Sequence, residues 1–466
     1  MVPYQSFTDC FSDKRLDSRC SIISRSLFSK GVHSIRQLAN TSSEAKGFYR
    51  FLQNENTDEE SLIGDMAARC KASCKGKIVL CIQDSTEINM YNHLNRLKKD
   101  DSLGTTNAYD RGLGFFLHPS LVVDAENCIP YGFSHVRIWN RPEERFTKSQ
   151  RGYRDLPIEQ KESYKWIETS KKTKEVLSEA SSIIIIQDRE GDIYEQFAIV
   201  PDNKTHLLVR ARANRTLKDK SKLFSTLDDQ PAQAFYTLNI TEDKRRKRKK
   251  RTAIMEVRYK EIELLRADSS SKDTPKSIKM FLIEAKEADS KVADPVCWRL
   301  LTTMPVTEKA MALRCIEWYC WRWMVEEIFR ILKKEGFDIE ASELEYGKSI
   351  RKLCLLMLDT ILKLFMMQIA YAMPEDDGLP AASCLTEQDQ ECLTDIMPSL
   401  EGKTEKQKNI YSEKTLKRYV WAIARLGGWK GYQSERPPGI TTLLIGLQKF
   451  SAIKTGWMIN RNVSTR

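Results

Sequence analysis

Residues 307–335 read TEKAMALRCIEWYCWRWMVEEIFRILKKE, with no Gly or Pro, and this run constrains the fold more than any other. Thr307 and Glu308 supply an N-cap and a first-turn acid, and Gly336 supplies a stop, so the run predicts one long helix. At about 100° per residue, Tyr319, Arg322 and Lys333 all fall within about 40° of Glu326. An apolar set, Ile316, Met324, Val325, Ile328, Phe329, Ile331 and Leu332, runs alongside and suits burial in a core. A carboxylate flanked by Tyr, Arg and Lys on a packed helix is suited to handling phosphate. The plainer reading is an amphipathic helix with a solvated charged face.

The rest of the composition narrows the partners. The 466 residues include 75 Lys and Arg against 64 Asp and Glu, a net charge of +11 that favours an anionic partner. Twelve cysteines without a CxxC pair and only five histidines indicate neither a zinc site nor a disulfide framework, and fit a reducing, cytoplasmic setting. The first residues, MVPYQSFTDCFSDKR, lack the apolar segment of a secretory leader. The most apolar stretch, 350–372, contains Arg351, Lys352, Asp359 and Lys363, which predicts a buried or dimer-packing helix rather than a membrane span.

Residues 1–75 read as short helices. Leu16, Cys20, Ile23 and Leu27 form an apolar stripe beside Lys14, Arg15, Arg19 and Arg25, and Thr41/Glu44 and Thr57/Glu60 have capping-box spacing. Lys46, Gly47, Phe48, Tyr49 and Arg50 put two cations beside aromatics, a face suited to a DNA backbone or simply to water. From Lys77 the pattern turns to strands, at 78–82, 115–123 and 131–139, followed by helical composition over 157–179 and a four-isoleucine strand at 181–186. Two of these strands end alike, Ile82-Gln83-Asp84-Ser85 and Ile186-Gln187-Asp188-Arg189, so neighbouring strands are expected to present Asp84 and Asp188 at one edge of a mixed sheet. An Asp after a strand is also a common turn or helix cap.

Residues 205–303 are β-rich, with strands expected at 206–210, 234–240, 252–264, 278–285 and 298–303, and with KRRKRKKR at 244–251 as a self-repelling hairpin tip over a phosphate backbone. Residues 373–400 hold seven acids and no Lys or Arg and read as a linker with some helix. Two amphipathic runs, 416–426 and 441–450, close the chain without a core of their own.

Asp84, Asp188 and Glu326 form an oxygen-only set suited to Mg²⁺ or Mn²⁺, and two such ions activate an attacking oxygen and stabilise the leaving one at a phosphodiester. Tyr319, Arg322, Glu326 and Lys333, at spacings of three, four and seven residues, resemble the Tyr-Arg-Glu-Lys signature of bacterial DDE transposases of the insertion sequence four family, in the branch of the transposon five transposase. Further likenesses are Asp188-Arg189-Glu190-x-Asp192-Ile193, Lys161-Glu162-Ser163-x-Lys165-Trp166, Trp298 before Leu300-Leu301-Thr302, and Ala422-Ile423-Ala424-Arg425-Leu426-Gly427-Gly428. From Phe11-Ser12-Asp13-Lys14-Arg15 onward they span nearly the whole chain. Arg210-Ala211-Arg212-Ala213-Asn214-Arg215 keeps the cations of that branch but lacks its His-Pro.

The resemblance implies an α/β protein. Its RNase H-like catalytic core would span residues 76–372 with a β-rich insertion at about 211–303, between a helical DNA-binding domain (1–75) and a C-terminal dimerisation region (373–466). It implies nicking of transposon ends, hairpin formation and opening, and transfer of the 3′ ends into target DNA by a homodimer, away from any membrane. Asp84, Asp188 and Glu326 would bind metal. Tyr319, Arg322 and Lys333, with Arg189, Arg210, Arg212, Arg215 and Arg330, would contact DNA, and Trp298 would receive a flipped base. The competing readings are an end-binding regulator that does not cut and a metal-dependent nuclease without a transfer step; the complete carboxylate triad disfavours the first and the long insertion the second.

Overall fold

The computed structural model describes residues 7, 9–98, 100–106, 112–141, 156–242, 248–268, 270–289, 291–292, 294–334, 336–374, 378–432 and 435–464. Four helices open the chain: α1 (Lys14–Lys30), α2 (Ile35–Leu38), α3 (Ser42–Gln53) and α4 (Glu59–Cys74). Thr41 caps α3 by accepting from the Glu44 amide at 3.1 Å. The second expected capping box does not form. Asp58 is the cap of α4, accepting from the Ser61 amide at 2.6 Å, because the buried Thr57 hydroxyl donates to the Phe51 carbonyl at 2.7 Å and so closes α3 instead.

The apolar runs become one mixed sheet. Its strands are β1 (Ile78–Gln83), β2 (Thr86–Asn89), β3 (Gly104–Thr105), β4 (Leu113–Asp124), β5 (Pro130–Trp139), β6 (Ser182–Gln187), β7 (Thr205–Arg210), β8 (Ala234–Ile240), β9 (Arg251–Leu265), β10 (Ser277–Glu287) and β11 (Cys297–Thr302). β4 pairs with β5 along one side and with β1 and β2 along the other; from β1 the order continues β6-β7-β11-β10-β9-β8. β1, β6 and β7 are parallel, while β4 is antiparallel to β1 and β11 to β7. Each parallel step crosses through a helix, α5 (Tyr164–Val176) before β6 and α6 (Tyr194–Ile199) before β7. The strands of the β-rich stretch continue the same sheet through the β7–β11 pairing.

Residues 307–335 are not one helix. They form α7 (Lys309–Cys320) and α8 (Trp323–Lys333), because the bonds across Trp321 and Arg322 tighten to three-residue spacing, Met324 N to Trp321 O at 3.0 Å and Val325 N to Arg322 O at 3.2 Å. The single-helix geometry around Glu326 is corrected accordingly. α9 (Gly347–Ala372) is almost wholly buried, and its charges meet partners: Asp359 accepts from Arg69 at 2.8 Å, Lys352 donates to the Asn54 carbonyl at 2.6 Å and Arg351 to Asn140 at 2.7 Å. It is the one helix among the described residues long and apolar enough to cross a membrane, and nearly nine-tenths of that stretch lies inside the protein.

The C-terminal helices α10 (Glu387–Leu400), α11 (Leu416–Leu426) and α12 (Ile440–Ser464) also depart from expectation. Trp421, Val420, Ile423, Leu443 and Leu447 lie in the same continuous core as the sheet and the N-terminal helices. Leu444 sits so close to Gly31 and Gly336, both at positive φ, that a β-carbon on either would lie within 2.8 Å of it. The closing amphipathic runs therefore have a core after all. The acids Glu375, Asp376 and Asp377 of the expected linker lie outside the described residues.

Candidate active site

β1 and β6 run parallel with Val79 opposite Ile183 and Ile82 opposite Ile186, so their next residues but one, Asp84 and Asp188, emerge side by side. Both strands are buried up to their last residues, Gln83 and Gln187, and the aspartates that follow sit at the rim. Each aspartate fixes its own loop: Asp84 accepts from the Ser85 amide at 2.8 Å and Asp188 from the Glu190 amide at 2.8 Å. Glu326 enters from the first turn of α8. Arg322, at the break between α7 and α8, joins the two sources, donating to Asp84 Oδ2 at 2.8 Å and to the Glu326 carboxylate.

The electrostatics are unbalanced. Burial, then the neighbouring Asp188 charge, push the Asp84 carboxyl up to about 7 against the pull of Arg322. Burial likewise raises Asp188. Arg322 is the guanidinium bonded to Asp84 and Glu326, while Lys165 acts on Asp188 from farther off and Arg189 and Arg210 stand at the rim. Among the described residues no three His, Cys, Asp or Glu side chains are gathered into a ready cation cluster, and Arg322 stands between Asp84 and Glu326 where such a cluster would close. A cavity of about 200 Å³ opens beside them, lined by Asp188, Arg189, Arg210, Tyr319 and Arg322. Tyr319 is buried with its ring 6.2 Å from that of half-buried Trp298 at 61°, and it shares the cavity lining with Arg210.

Residues 169–359 match the family model of the transposase DDE domain, and residues 7–57 match that of the transposase DNA-binding domain. This chain carries both domains. It is a metal-dependent enzyme that cleaves DNA and transfers strands. The DDE match contains Asp188 and Glu326 and begins after Asp84; the DNA-binding match contains α1 to α3, whose Lys46 and Arg50 are exposed. Among solved structures the chain is similar to the piggyBac transposase synaptic complex with hairpin DNA, with a TM-score of 0.35 and 8% identity over 91% of this chain and 74% of that one. At that score the likeness assigns nothing to this chain.

The other expected DNA contacts of the DDE domain divide. Arg189 is exposed at the cavity and Arg210 lines it. Lys333 lies within 3.9 Å of Glu340 near the end of α8. Arg212 is exposed and gives only its amide, at 2.8 Å, to Asp192. Arg215 is engaged within the protein: its guanidinium holds the buried Asp192 carboxylate at 2.8 Å and the Asp192 carbonyl at 2.6 Å. Arg330 pairs with Glu327 at 2.7 Å, one turn beyond the carboxylates.

Sequence reasoning assigned no role to the side chains packed behind the carboxylates. His118, fully buried, meets the Ser85 hydroxyl at 2.9 Å and stands edge-on to Trp166 at 4.5 Å. Lys165 lies over Trp139 and Trp166 and reaches Glu190 at 3.5 Å. Gln83 and Gln187 were visible only as the repeated letter before each Asp.

Proposed function

We propose that this protein is a cut-and-paste DNA transposase that binds the terminal inverted repeats of its element, cleaves them through a hairpin intermediate and joins the 3′ ends to target DNA. The observation that carries the reading is the in-register parallel pair β1/β6, with Asp84 and Asp188 at adjacent tips and Glu326 tied to Asp84 through Arg322. The order β5-β4-β1-β6-β7, with β1, β6 and β7 parallel and β4 and β5 antiparallel, supports an RNase H-like core.

Asp84, Asp188 and Glu326 would hold Mg²⁺, with Mn²⁺ as substitute. Their donor set fits: the oxygens are hard ligands, and burial and mutual repulsion leave the pair of aspartates short of positive charge. A divalent cation there supplies the charge that offsets the attacked phosphate and activates the attacking hydroxyl. On this reading Arg322 exchanges a carboxylate for a DNA phosphate as substrate enters, and Arg189, Arg210 and the Tyr319 hydroxyl line its path. Trp298 offers an indole face to a base that leaves its stack when the strand bends into a hairpin. Two ends need two subunits, and the exposed face of α12 that carries Ile445, Ala452 and Ile459 is the surface we assign to a second copy.

The test is an end-labelled duplex carrying the repeats that flank the reading frame. Asp188→Ala, Asp84→Ala and Glu326→Ala each lower cleavage by about a thousandfold or more while end binding in a gel shift is kept. Cleavage near the parental rate by Asp188→Ala overturns the assignment.

A further inference from the structure

Behind the two aspartates lies a chain of buried amides. Gln187 donates through Nε2 to Gln83 Oε1 at 2.7 Å and to Ser170 Oγ at 3.4 Å; Gln196, from α6, donates to Gln187 Oε1 and to the Gly191 carbonyl at 3.2 Å. Ser170, from α5, reaches Gln83 Oε1 at 3.4 Å. All three glutamines and Ser170 are fully buried. The β1–β6 ladder ends with Ile82 opposite Ile186, and the Gln83–Gln187 bond continues it by side chains for one more residue. The next residue on each strand is the aspartate.

Stability alone does not account for this chain. Gln83 Nε2 is buried without a partner, a loss that an apolar side chain of the same shape avoids. The contact with Gly191 is equally demanding, since a β-carbon there would stand 2.3 Å from Gln187 Oε1 and 2.7 Å from its Cβ. Gly191 closes the turn that Asp188 caps, so the same amide that joins the strands also seats that turn.

We infer that Gln83, Gln187 and Gln196 form a positioning relay that fixes the separation and aim of the Asp84 and Asp188 carboxylates. The inference rests on the proposed metal-holding role of those carboxylates. Amide pairs are directional where apolar contacts are not, so the relay sets distance as well as proximity. All three are fully buried, behind the aspartates and away from the surface that DNA would meet. Loss of partners bonded directly to metal ligands weakens metal sites by about 10- to 100-fold, and a relay one residue behind the ligands is expected at the lower end of that range.

The experiment adds Mn²⁺ to full-length protein at neutral pH and counts the free ion by electron paramagnetic resonance, with thermal unfolding recorded on the same samples. Gln187→Met is expected to hold Mn²⁺ about tenfold more weakly than the parent. Should that single variant not fold, the triple variant Gln83→Met/Gln187→Met/Gln196→Met serves, because replacing every partner leaves no stranded amide. Gly191→Ala, which displaces Gln187 without removing it, is expected to weaken Mn²⁺ in the same direction. A merely structural role moves the unfolding temperature and not the affinity of protein that remains folded. Unchanged Mn²⁺ affinity in the folded Met variants overturns the relay alone. A parent that takes up no Mn²⁺ that Asp188→Asn removes overturns the metal-holding reading, and the relay with it.

Discussion

Two regions of the sheet handle charge in opposite ways. At the β1/β6 edge, carboxylates are crowded together with one guanidinium among them, and burial presses Asp84 and Asp188 toward their neutral forms. At the β9–β11 end each buried acid has its cation: Arg251 grips Glu287 at 2.7 Å through two nitrogens, and Arg299 holds Glu284 at 2.8 Å. Similar residues and the same sheet produce a frustrated site and a satisfied one. On the proposed reading, the crowded carboxylates await a charge that arrives with metal and DNA, whereas the matched region is already paired within the protein.

The sharpest way to break that contrast is to remove one arginine from each region. Arg322→Ala is expected to cut strand cleavage by about 10²- to 10³-fold, the range for losing a group that stabilises developing charge, and to weaken end binding. Arg251→Ala should leave cleavage of bound DNA at the parental rate and lower the unfolding temperature instead. Equal cleavage rates for the two variants would show that the crowded edge is no more functional than the matched region.

Trp298 lies on β11, the strand through which the matched region joins β7, with its ring against Tyr319. Base stacking on an indole contributes roughly 1–3 kcal/mol, so Trp298→Ala should make the first nick normally and form hairpin about 5- to 150-fold more slowly. Time courses on denaturing gels separate the two products. Hairpin at the parental rate would return Trp298 to an ordinary role in packing.

A smaller effect is expected at the basic tip. Lys249 and Lys250 are exposed, whereas Arg248 pairs with Asp294 and Arg251 with Glu287; residues 244–247 of the same run lie outside the described residues. The double variant Lys249→Ala/Lys250→Ala should reduce the slope of log K against log salt by about 1 to 2, one lost phosphate contact for each lysine, and leave cleavage of saturated DNA alone. An unchanged slope would detach this end of the sheet from the DNA path.

How far the sequence showed all this depended on the kind of interaction. Apolar runs located nine of the sheet's eleven strands within about two residues, because burial on a pleated surface is a local pattern, and missed the short β2 and β3. Pairing is not local, so the repeated Ile-Gln-Asp strings hinted at neighbouring strands without revealing that β4 lies antiparallel beside β1 or that β11 extends the sheet from β7. The break at Trp321–Arg322 was hidden by uniformly helical composition, yet it turns Arg322 toward Asp84. Arg215 looked like Arg210 in sequence; only the fold brings Asp192 to one and Tyr319 to the other. The glutamines were the least legible, since an uncharged polar residue at a strand end reads as surface until its partners are seen.

The last prediction involves no DNA and reads the contrast as stability alone. Unfolded Asp titrates near 3.9, while Asp84 in the folded chain is pushed up to about 7. Below about 4 both states hold the proton; between about 4 and 7 only the unfolded state releases it, so folding stability falls as pH rises and the loss is complete above about 7. In metal-free buffer at pH 8, Asp84→Asn should therefore be more stable than the parent, by on the order of 2–4 kcal/mol, and the two should converge near pH 4. Glu287 is the control of opposite sign. Its hydrogen bond from Arg251 lowers its pKa, so its contribution is present above the ordinary Glu value and lost as pH falls through the folded one. Glu287→Gln should consequently be less stable than the parent at pH 8. Adding Mn²⁺ should then raise the unfolding temperature of the parent and not that of Asp84→Asn, because only the parent keeps the full set of carboxylates. Thermal unfolding from pH 4 to 8, with and without Mn²⁺, checks both signs, and a destabilised Asp84→Asn at pH 8 would mean that Arg322 already balances the crowded edge.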